Sequence, residues 1–327
     1  MFFLFDRILC GAHRLFVEHY GSYLKPLDRV INPDEASDII YEQLNQDNSC
    51  MIARYGSVEL LCVVNYLGIK KFKHSIWNYI TDKNPQFWWN SVGVKNMQNN
   101  AGFFPLTEHG LEKFGELMLE DTKQVDILGS WRLEEGRLVD ANKIKAIQLL
   151  LLEPYHAANP WTRILEGKKV LVIHPFSETI KRQYDSKRTL LFKNPKVLPE
   201  FDLITIKAVQ SIGGKSDFIT WFDALQYMKD EIDKHEYDIA LIGCGAYGFP
   251  LAAHVKRSGK KAVHLGGALQ LLFGIKGKRW MNPEYGMKSL PFITRNYYNN
   301  LMNEYWVFPS DTERISNAQN VEGACYW

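Results

Sequence analysis

The stretch from Asp238 to Trp280, DIALIGCGAYGFPLAAHVKRSGKKAVHLGGALQLLFGIKGKRW, decides which fold class the sequence predicts. It begins with a short apolar run, Ile239 to Ile242, of the length expected for a buried parallel strand. A glycine-rich turn, a helical pattern and a second short apolar run follow in that order. Glycines at such a turn let backbone N–H groups approach a phosphate, and the helix N-terminus adds a favourable partial charge. The stretch therefore predicts an α/β protein with a nucleotide- or phosphate-binding turn.

Three glycines in this turn, Gly243, Gly245 and Gly248, have the spacing G-x-G-x-x-G of dinucleotide-binding folds. In NAD-binding proteins the second strand normally ends in an Asp or Glu that binds the ribose hydroxyls. Here the second strand ends in His264-Leu265-Gly266-Gly267, without a carboxylate, which argues against NAD as a cofactor. The alternative is that the three glycines only permit tight packing of the helix against the strand.

Length and composition limit the classes of function. A chain of 327 residues suits one large domain or two modest ones. The formal net charge of +2 gives no case for nucleic-acid binding by bulk electrostatics. The five cysteines are scattered and lack a C-x-x-C pair, so neither a disulfide framework nor a zinc site is indicated. This usage fits a reducing cytoplasm, and we expect a cytoplasmic protein.

The N-terminal stretch MFFLFDRILCGAHRLF predicts an amphipathic helix. Asp6, Arg7 and Arg14 interrupt it, so it makes a poor signal peptide, and no run of the chain approaches the roughly 18–20 apolar residues of a membrane span. Two interpretations of the helix stay open. It packs on the domain, or its apolar face makes a peripheral contact with the inner face of a membrane.

Apolar runs of strand length alternate with helical patterns along the chain, which predicts one doubly wound, mostly parallel, Rossmann-like sheet with helices on both faces. We expect about six strands, at residues 50–54, 125–129, 169–174, 203–208, 238–243 and 261–265. Lys143 to Leu152 reads as an apolar helix, and Gly213-Gly214-Lys215-Ser216 is only a fragment of a phosphate-loop signature. We expect N-terminal helices at 1–47, a core at 48–280 and a C-terminal lid or tail at 281–327, both packed on the core.

Several polar groups follow the predicted strands, where an open α/β sheet binds its ligand. Arg54 can pair with phosphate oxygens in a bidentate way. Glu59 can hold a divalent cation, orient a sugar hydroxyl, or simply pair with Arg54. Ser177 follows the strand at 169–174 and is also a natural N-cap for the next helix. The basic cluster of Lys276, Lys278 and Arg279 can neutralise a diphosphate or form a solvated face.

Three segments together resemble the GT-D-fold glycosyltransferases, which are typical of bacterial surface-polysaccharide and protein-glycan gene clusters. They are Arg54-Tyr55-Gly56-Ser57-Val58-Glu59, the strand that runs from Val170 to Phe176, and the segment from Gly243 to Trp280. The resemblance covers roughly residues 48–280. It implies a single Rossmann-like domain that uses a nucleotide-sugar donor, usually a UDP-sugar. The partners it implies are that donor and an oligosaccharide or lipid-linked glycan acceptor, with no nucleic acid.

The sequence departs from this family at the metal motif. Family members carry an Arg-aromatic-Gly-Asp-Gly-Glu stretch whose Asp and Glu form a D-x-E metal site. Glu59 matches the Glu, but Ser57 stands in the Asp position and Val58 in the position of the second glycine. Hard divalent cations favour carboxylate oxygens. Two arrangements stay open: Glu59 and the diphosphate hold Mn²⁺ or Mg²⁺, or Arg54 and the basic cluster replace the cation.

The resemblance and the strand-end positions together give a set of expected site residues. Arg54 and Glu59 are the expected catalytic residues, and Glu59 is also the candidate metal ligand. The expected donor-binding residues are Gly56, Ser57, Ser177, Gly243, Gly245, Tyr247, Gly248, His264, Gly266, Gly267, Lys276 and Arg279. Two other classes compete with a glycosyltransferase. A methyltransferase or dehydrogenase needs an acidic ribose-binding residue that the second strand lacks, and a non-catalytic nucleotide-sugar-binding protein is favoured by Ser57.

Overall fold

Seven parallel strands form one sheet in the computed structural model, which describes residues 2–211, 216–314 and 325–327, and side chains from residue 6 onward. Across the sheet the order is β3-β2-β1-β7-β6-β4-β5. The strands are β1 Cys50–Ala53, β2 Ile127–Ser130, β3 Lys145–Gln148, β4 Lys169–His174, β5 Asp202–Lys207, β6 Ile239–Ile242 and β7 Lys261–His264. The predicted α/β class with a parallel sheet is confirmed. The sequence predicts about six strands, and the described residues contain seven.

The additional strand is β3, in the segment 143–152 that the sequence predicted to be a helix. Residues Lys145–Gln148 pair in parallel with β2, and Leu149–Leu152 then form a 3₁₀ turn. The backbone of Val30 binds the outer edge of β3, where its N–H donates to Ala146 O at 3.0 Å. A short apolar run of this kind has no periodicity that separates a strand from a buried helix.

Twelve α-helices of the described residues connect and cover the strands. They are α1 Phe2–Tyr20, α2 Pro33–Asn45, α3 Ser57–Lys70, α4 Ile76–Ile80, α5 Ser91–Asn99, α6 Glu108–Thr122, α7 Ser177–Lys187, α8 Trp221–Asp233, α9 Gly248–Arg257, α10 Leu269–Leu272, α11 Lys278–Met281 and α12 Tyr297–Leu301. Sequence signals explain several boundaries. For example, Thr220 and Asp223 form a capping box that starts α8.

The sheet has an apolar core on each face, because successive strand residues point to opposite sides. Ile52 of β1 and Val172 of β4 pack in one core with residues of α2, α7 and α10. Met51 and Leu171, their neighbours in the chain, pack in the other core with residues of α3, α6, α8 and α9. Both faces are therefore covered, and the strand ends are the part of the sheet left to meet a ligand.

The chain reverses direction across the sheet between β4 and β6. From β4 the chain passes through α7 to β5 at the sheet edge, whereas from β6 it passes through α9 to β7 in the interior. The two connections diverge, so they leave a crevice at the carboxyl ends of β4 and β6. Open α/β sheets bind ligands at such reversal points.

The C-terminal segment contributes to one of the two cores. Leu290, Trp306 and Trp327 are buried in the core that contains Val172. Residues 315–324 lie outside the described residues, as do 212–215, which include most of the phosphate-loop fragment. The described parts of the predicted lid or tail are packed on the sheet domain.

The N-cap predicted for α7 is wrong. Ser177 is the first residue of the helix, the N-cap is Phe176, and no side chain of the N-cap accepts a hydrogen bond. The orphan N–H groups of the first turn are bound from the C-terminal segment instead. Glu178 N donates to Oε1 of Glu313 at 2.8 Å, and Thr179 N and its hydroxyl also donate to this buried carboxylate. A distant acidic residue therefore satisfies the helix end.

The N-terminal helix α1 contacts the segment around α4. Nε1 of Trp88 donates to Asp6 at 2.8 Å, and the ring of His13 stacks on Tyr79 with 4.9 Å between centroids. Among the described residues, no helix is long and apolar enough to cross a membrane.

Candidate functional site

A cavity of about 480 Å³ lies at the carboxyl ends of the strands. This volume falls within the range of about 300–1,000 Å³ that is typical of small-molecule sites. All seven strands contribute to its lining: Arg54 after β1, Trp131 after β2, Gln148 of β3, His174 of β4, Val209 after β5, Gly243 after β6 and Gly266 after β7. The cavity includes the crevice between β4 and β6.

Most of the residues predicted from the sequence line this cavity, and a few do not. Those that line it are Arg54, Gly56, Ser57, Glu59, Gly243, Gly245, Tyr247, Gly266, Gly267 and Arg279. Those that lie elsewhere are Ser177, Gly248, His264 and Lys276.

The glycine turns after β6 and β7 touch each other at the cavity. A Cβ at Gly243 would lie 2.6 Å from the carbonyl oxygen of Gly266, so only glycine permits this approach. Gly245 and Gly266 have φ of 58° and 65°, in the left-handed region that favours glycine. The N–H groups of Cys244, Gly245 and Ala246 donate to no acceptor in the part of the chain that the structure describes. Because these three residues line the cavity, the turn offers it backbone donors suited to an anion.

Gly248 and His264 lie behind the cavity, whereas the sequence predicted that both would bind the ligand. A Cβ at Gly248 would lie 2.2 Å from Cε1 of His264, so the missing side chain lets α9 pack on β7. Nδ1 of His264 lies 3.2 Å from Ile242 O, and burial lowers the pKa of this imidazole to about 3. For Gly248 the observed role is therefore tight packing of the helix against the strand, which was the alternative to ligand binding.

The corner after β1 brings a guanidinium and a carboxylate to the cavity. Gly56 is the N-cap of α3 and Glu59 lies in its first turn. A Cβ at Gly56 would lie 2.0 Å from Oε2 of Glu59, so this carboxylate folds back over the glycine. The guanidinium of Arg54 lies beside Gly266 and 5.7 Å from the ring centroid of Trp131. Arg54 thus lies between the β7 turn and the residue that follows β2.

His174, at the end of β4, is a neutral hydrogen-bond donor in the cavity lining. Phe176 N donates to its Nδ1 at 3.0 Å, so Nδ1 carries no proton. Burial lowers the pKa of His174 to about 3, and the ring stays neutral at physiological pH. In the neutral imidazole the proton is therefore on Nε2. This nitrogen can donate a hydrogen bond without adding charge to the cavity.

The basic cluster after β7 divides between the cavity and the surface. Arg279 lines the cavity, and its Nη1 donates to the hydroxyl of Tyr326 at 3.1 Å. Lys276 lies outside it, with its backbone N–H bound to Val307 O at 2.7 Å, and Lys278 is exposed. Burial raises the pKa of Tyr285, whereas the guanidiniums of Arg279 and Arg54 act in the opposite direction. Both cations therefore act on one part of the cavity.

The charged side chains of the lining favour an anionic ligand. Among the described residues that line the cavity, the guanidiniums of Arg54 and Arg279 face a single carboxylate, Glu59. The described side chains of the lining therefore carry two positive charges and one negative charge, next to the N–H groups of the β6 turn. Opposite charge and backbone donors together are the usual means of binding a phosphate.

The donor set does not fit a dedicated metal site. The described residues contain no group of three or more His, Cys, Asp or Glu side chains that could hold a metal ion. Glu59 and Ser57 both belong to the first turn of α3 and both line the cavity. Divalent cations need several oxygen ligands, which this pair does not supply.

The expected site residues did not include several residues of the lining. His174 and Trp131 directly end or follow predicted strands, and this position was the signal available for both. Gln148 was missed because β3 was read as a helix. Tyr326 and Trp327 come from a segment without a regular pattern, and no local signal indicated their place in the cavity.

Comparison with known proteins gave no relative: no family model, curated protein or solved structure matches the chain. The resemblance to GT-D-fold glycosyltransferases therefore stays a prediction from sequence motifs.

Proposed function

We propose that the protein is a glycosyltransferase that moves a sugar from a nucleotide diphosphate, a UDP-sugar, to a glycan or lipid-linked saccharide in surface-polysaccharide synthesis. In this proposal the sheet is a GT-D-like, Rossmann-like domain. One observation carries most of the weight. Two guanidiniums, two glycine turns and one carboxylate line a single cavity at the strand ends.

The first requirement of glycosyl transfer is a site for the departing diphosphate. The N–H groups of the β6 turn and the guanidinium of Arg54 supply hydrogen bonds and positive charge on adjacent strands. Such fixed donors stabilise the charge that develops on the leaving group. Arg279 adds a second guanidinium to the same lining.

The second requirement is an acceptor hydroxyl that attacks the anomeric carbon. Its oxygen forms the new glycosidic bond while the bond from that carbon to the diphosphate oxygen breaks, and the electron pair leaves with the diphosphate. We assign the hydroxyl proton to Glu59, the only acidic side chain among the described lining residues. No step is assigned to a metal ion, since the protein ligands for one are too few.

One competing function has an observation in its favour. A non-catalytic nucleotide-sugar-binding protein needs the cavity but no metal motif, and Ser57 replaces the acidic residue of that motif. A dehydrogenase has less support. The residue at the end of β7 is His264, whose ring is covered by Gly248 rather than free to bind ribose hydroxyls.

A thermal-shift screen tests the proposal. We would compare UDP, UDP-glucose, UDP-galactose, UDP-N-acetylglucosamine, NAD and S-adenosylmethionine, each with and without Mn²⁺. A ligand at about 100 times its dissociation constant stabilises by about 2.7 kcal/mol, and we expect UDP and at least one UDP-sugar to do so. Arg54→Ala should weaken UDP binding by at least about tenfold, whereas the surface change Lys278→Ala should not.

Two outcomes would overturn the proposal. Stabilisation by NAD or S-adenosylmethionine alone would assign the cavity to another class of enzyme. Binding of a UDP-sugar without release of UDP, even in the presence of saccharide acceptors, would identify a non-catalytic binding protein.

Stabilisation that requires Mn²⁺ and disappears in Glu59→Gln would show that the carboxylate and the diphosphate share a cation.

A further inference from the structure

The cavity extends along the sheet edge beyond the groups that a diphosphate needs. From the β6 turn to Trp131 after β2 there are three strand spacings, since β7 and β1 lie between them. At about 4.8 Å per spacing, this places Trp131 about 14 Å from the glycine turn along the edge, and Gln148 of β3 about 5 Å further. The anion-binding groups occupy β6, β7 and β1, and the β2–β3 end has a different chemistry.

Trp131 is a large apolar side chain that is both exposed and held in place. It is 37% exposed in the cavity lining. Its indole Nε1 donates to Tyr55 O at 3.2 Å, and its backbone N–H donates to the carboxylate of Glu135 at 3.2 Å. Ordinary exposed aromatic residues lack such restraints. A ring fixed before the ligand arrives loses little entropy on stacking.

Gln148 adds a directed hydrogen-bond donor to the same end of the cavity. Its side chain is almost fully buried, with 4% of the residue exposed. Oε1 accepts a hydrogen bond from Leu150 N at 2.7 Å, which fixes the orientation of the amide. Nε2 donates to no acceptor in the ranges that the structure describes. This nitrogen is not among the fully buried atoms that lack a partner, and Gln148 lines the cavity, so a ligand oxygen there can accept its hydrogen bond.

We propose that Trp131 and Gln148 form the subsite for the acceptor saccharide, an inference that rests on the proposed glycosyltransferase function. A pyranose has an apolar face of C–H groups, which stacks on an aromatic ring, and hydroxyls at its rim, which accept from an amide. Both surfaces are present at this end of the cavity. Arg54 and Glu59 lie between this subsite and the β6 turn, so the reacting carbon lies between donor and acceptor.

Saturation-transfer NMR tests the subsite without knowledge of the natural acceptor. The probes are the methyl α- and β-glycosides of glucose, galactose, mannose and N-acetylglucosamine, each titrated in the presence of saturating UDP. At least one should bind wild-type protein through its ring protons. Trp131→Ala should weaken that binding by about tenfold, Trp131→Phe by less, and Gln148→Ala by about fivefold. Trp77→Ala, at a 65%-exposed tryptophan outside the cavity lining, is the matched control and should change nothing.

A parallel titration with UDP separates this inference from the proposed function. Trp131→Ala should change UDP affinity by less than about threefold, since among the proposed diphosphate-binding groups the indole contacts Arg54, through a cation–π contact; its contacts with Arg132 and Tyr55 O involve none of them. The inference is overturned if no methyl glycoside binds, if Trp131→Ala leaves glycoside binding intact, or if UDP affinity falls instead. The last result would assign the indole to the nucleobase. Glycoside binding that depends on Trp131 in a protein that fails to bind UDP would support the subsite and overturn the transferase.

Discussion

Gly56→Ala is expected to inactivate the site while leaving the fold intact. The added Cβ would lie 2.0 Å from Oε2, 2.5 Å from Cδ and 2.7 Å from Oε1 of Glu59. Contacts this short force a movement. The atoms that must move belong to the end of a flexible side chain, so we expect the carboxylate to turn away and the backbone to stay.

The stability of this variant should hardly change. Gly56 has φ of −72° and ψ of 147°, which alanine adopts without strain. Replacing glycine lowers the entropy of the unfolded chain and stabilises by about 0.4–1 kcal/mol, whereas alanine is the poorer N-cap by a similar amount. We expect a net change within about 1 kcal/mol in urea unfolding. Loss of a correctly placed general base lowers turnover by about 100-fold or more.

The assay measures release of UDP from a UDP-sugar. Urea unfolding and UDP binding are measured for each variant as well. Gly56→Ala and Glu59→Gln should lose comparable activity, and the double variant should lose no more than either alone, because both changes remove the same carboxylate. Additive losses, or a Gly56→Ala protein as active as wild type, would refute the argument. A stability loss above about 3 kcal/mol would show that the backbone moves instead.

Three further predictions concern stability and are checked by urea unfolding. Gly248→Ala should destabilise despite the gain of about 1 kcal/mol in helix propensity, because the Cβ meets the buried ring of His264 at a cost of about 1–3 kcal/mol; a stabilised variant would contradict this. The pKa of His174 and of His264 is lowered to about 3 from 6.5, so the unfolded chain binds protons first and stability falls as the pH drops from 6.5 towards 3. The loss should reach about 2 kcal/mol for each imidazole at pH 5, and His174→Gln should remove its share, so an unchanged pH dependence would contradict the assignment. Glu313→Ala should cost about 2 kcal/mol by freeing the first turn of α7, whereas the exposed Glu304→Ala should cost less than about 0.5 kcal/mol; equal losses would show that the cap contributes nothing.

The parts of the site that could be predicted from sequence are those carried by contiguous motifs. The glycine turn after β6 and the corner from Arg54 to Glu59 each follow a short apolar strand, and in a parallel sheet such ends meet at one edge. The sheet order was not needed for that argument. Local pattern was therefore enough to bring Arg54, Glu59 and the glycine turns to one cavity.

The remaining features depend on details that periodicity does not contain. The four residues of β3 look like the start of a buried helix, and only pairing with β2 and Val30 makes them a strand. Whether Gly248 faces the ligand or the sheet depends on the rotation of α9 about its axis. The N-terminus of α7 is capped by Glu313 from a distant segment. Ser177 is a favourable N-cap residue by type, and the prediction made from that preference was wrong.

The position of β1 has a consequence for synthesis on the ribosome. One edge of β1 pairs with β2, but its other edge pairs with β7, the last strand in the described chain order. In the nascent chain, one edge of β1 therefore stays unpaired until β7 has left the exit tunnel. An open edge of this kind is a template for pairing with other chains, so the edge of β1 is exposed to such pairing until β7 emerges. The ligand cavity, which includes the turn after β7, is among the last features to form.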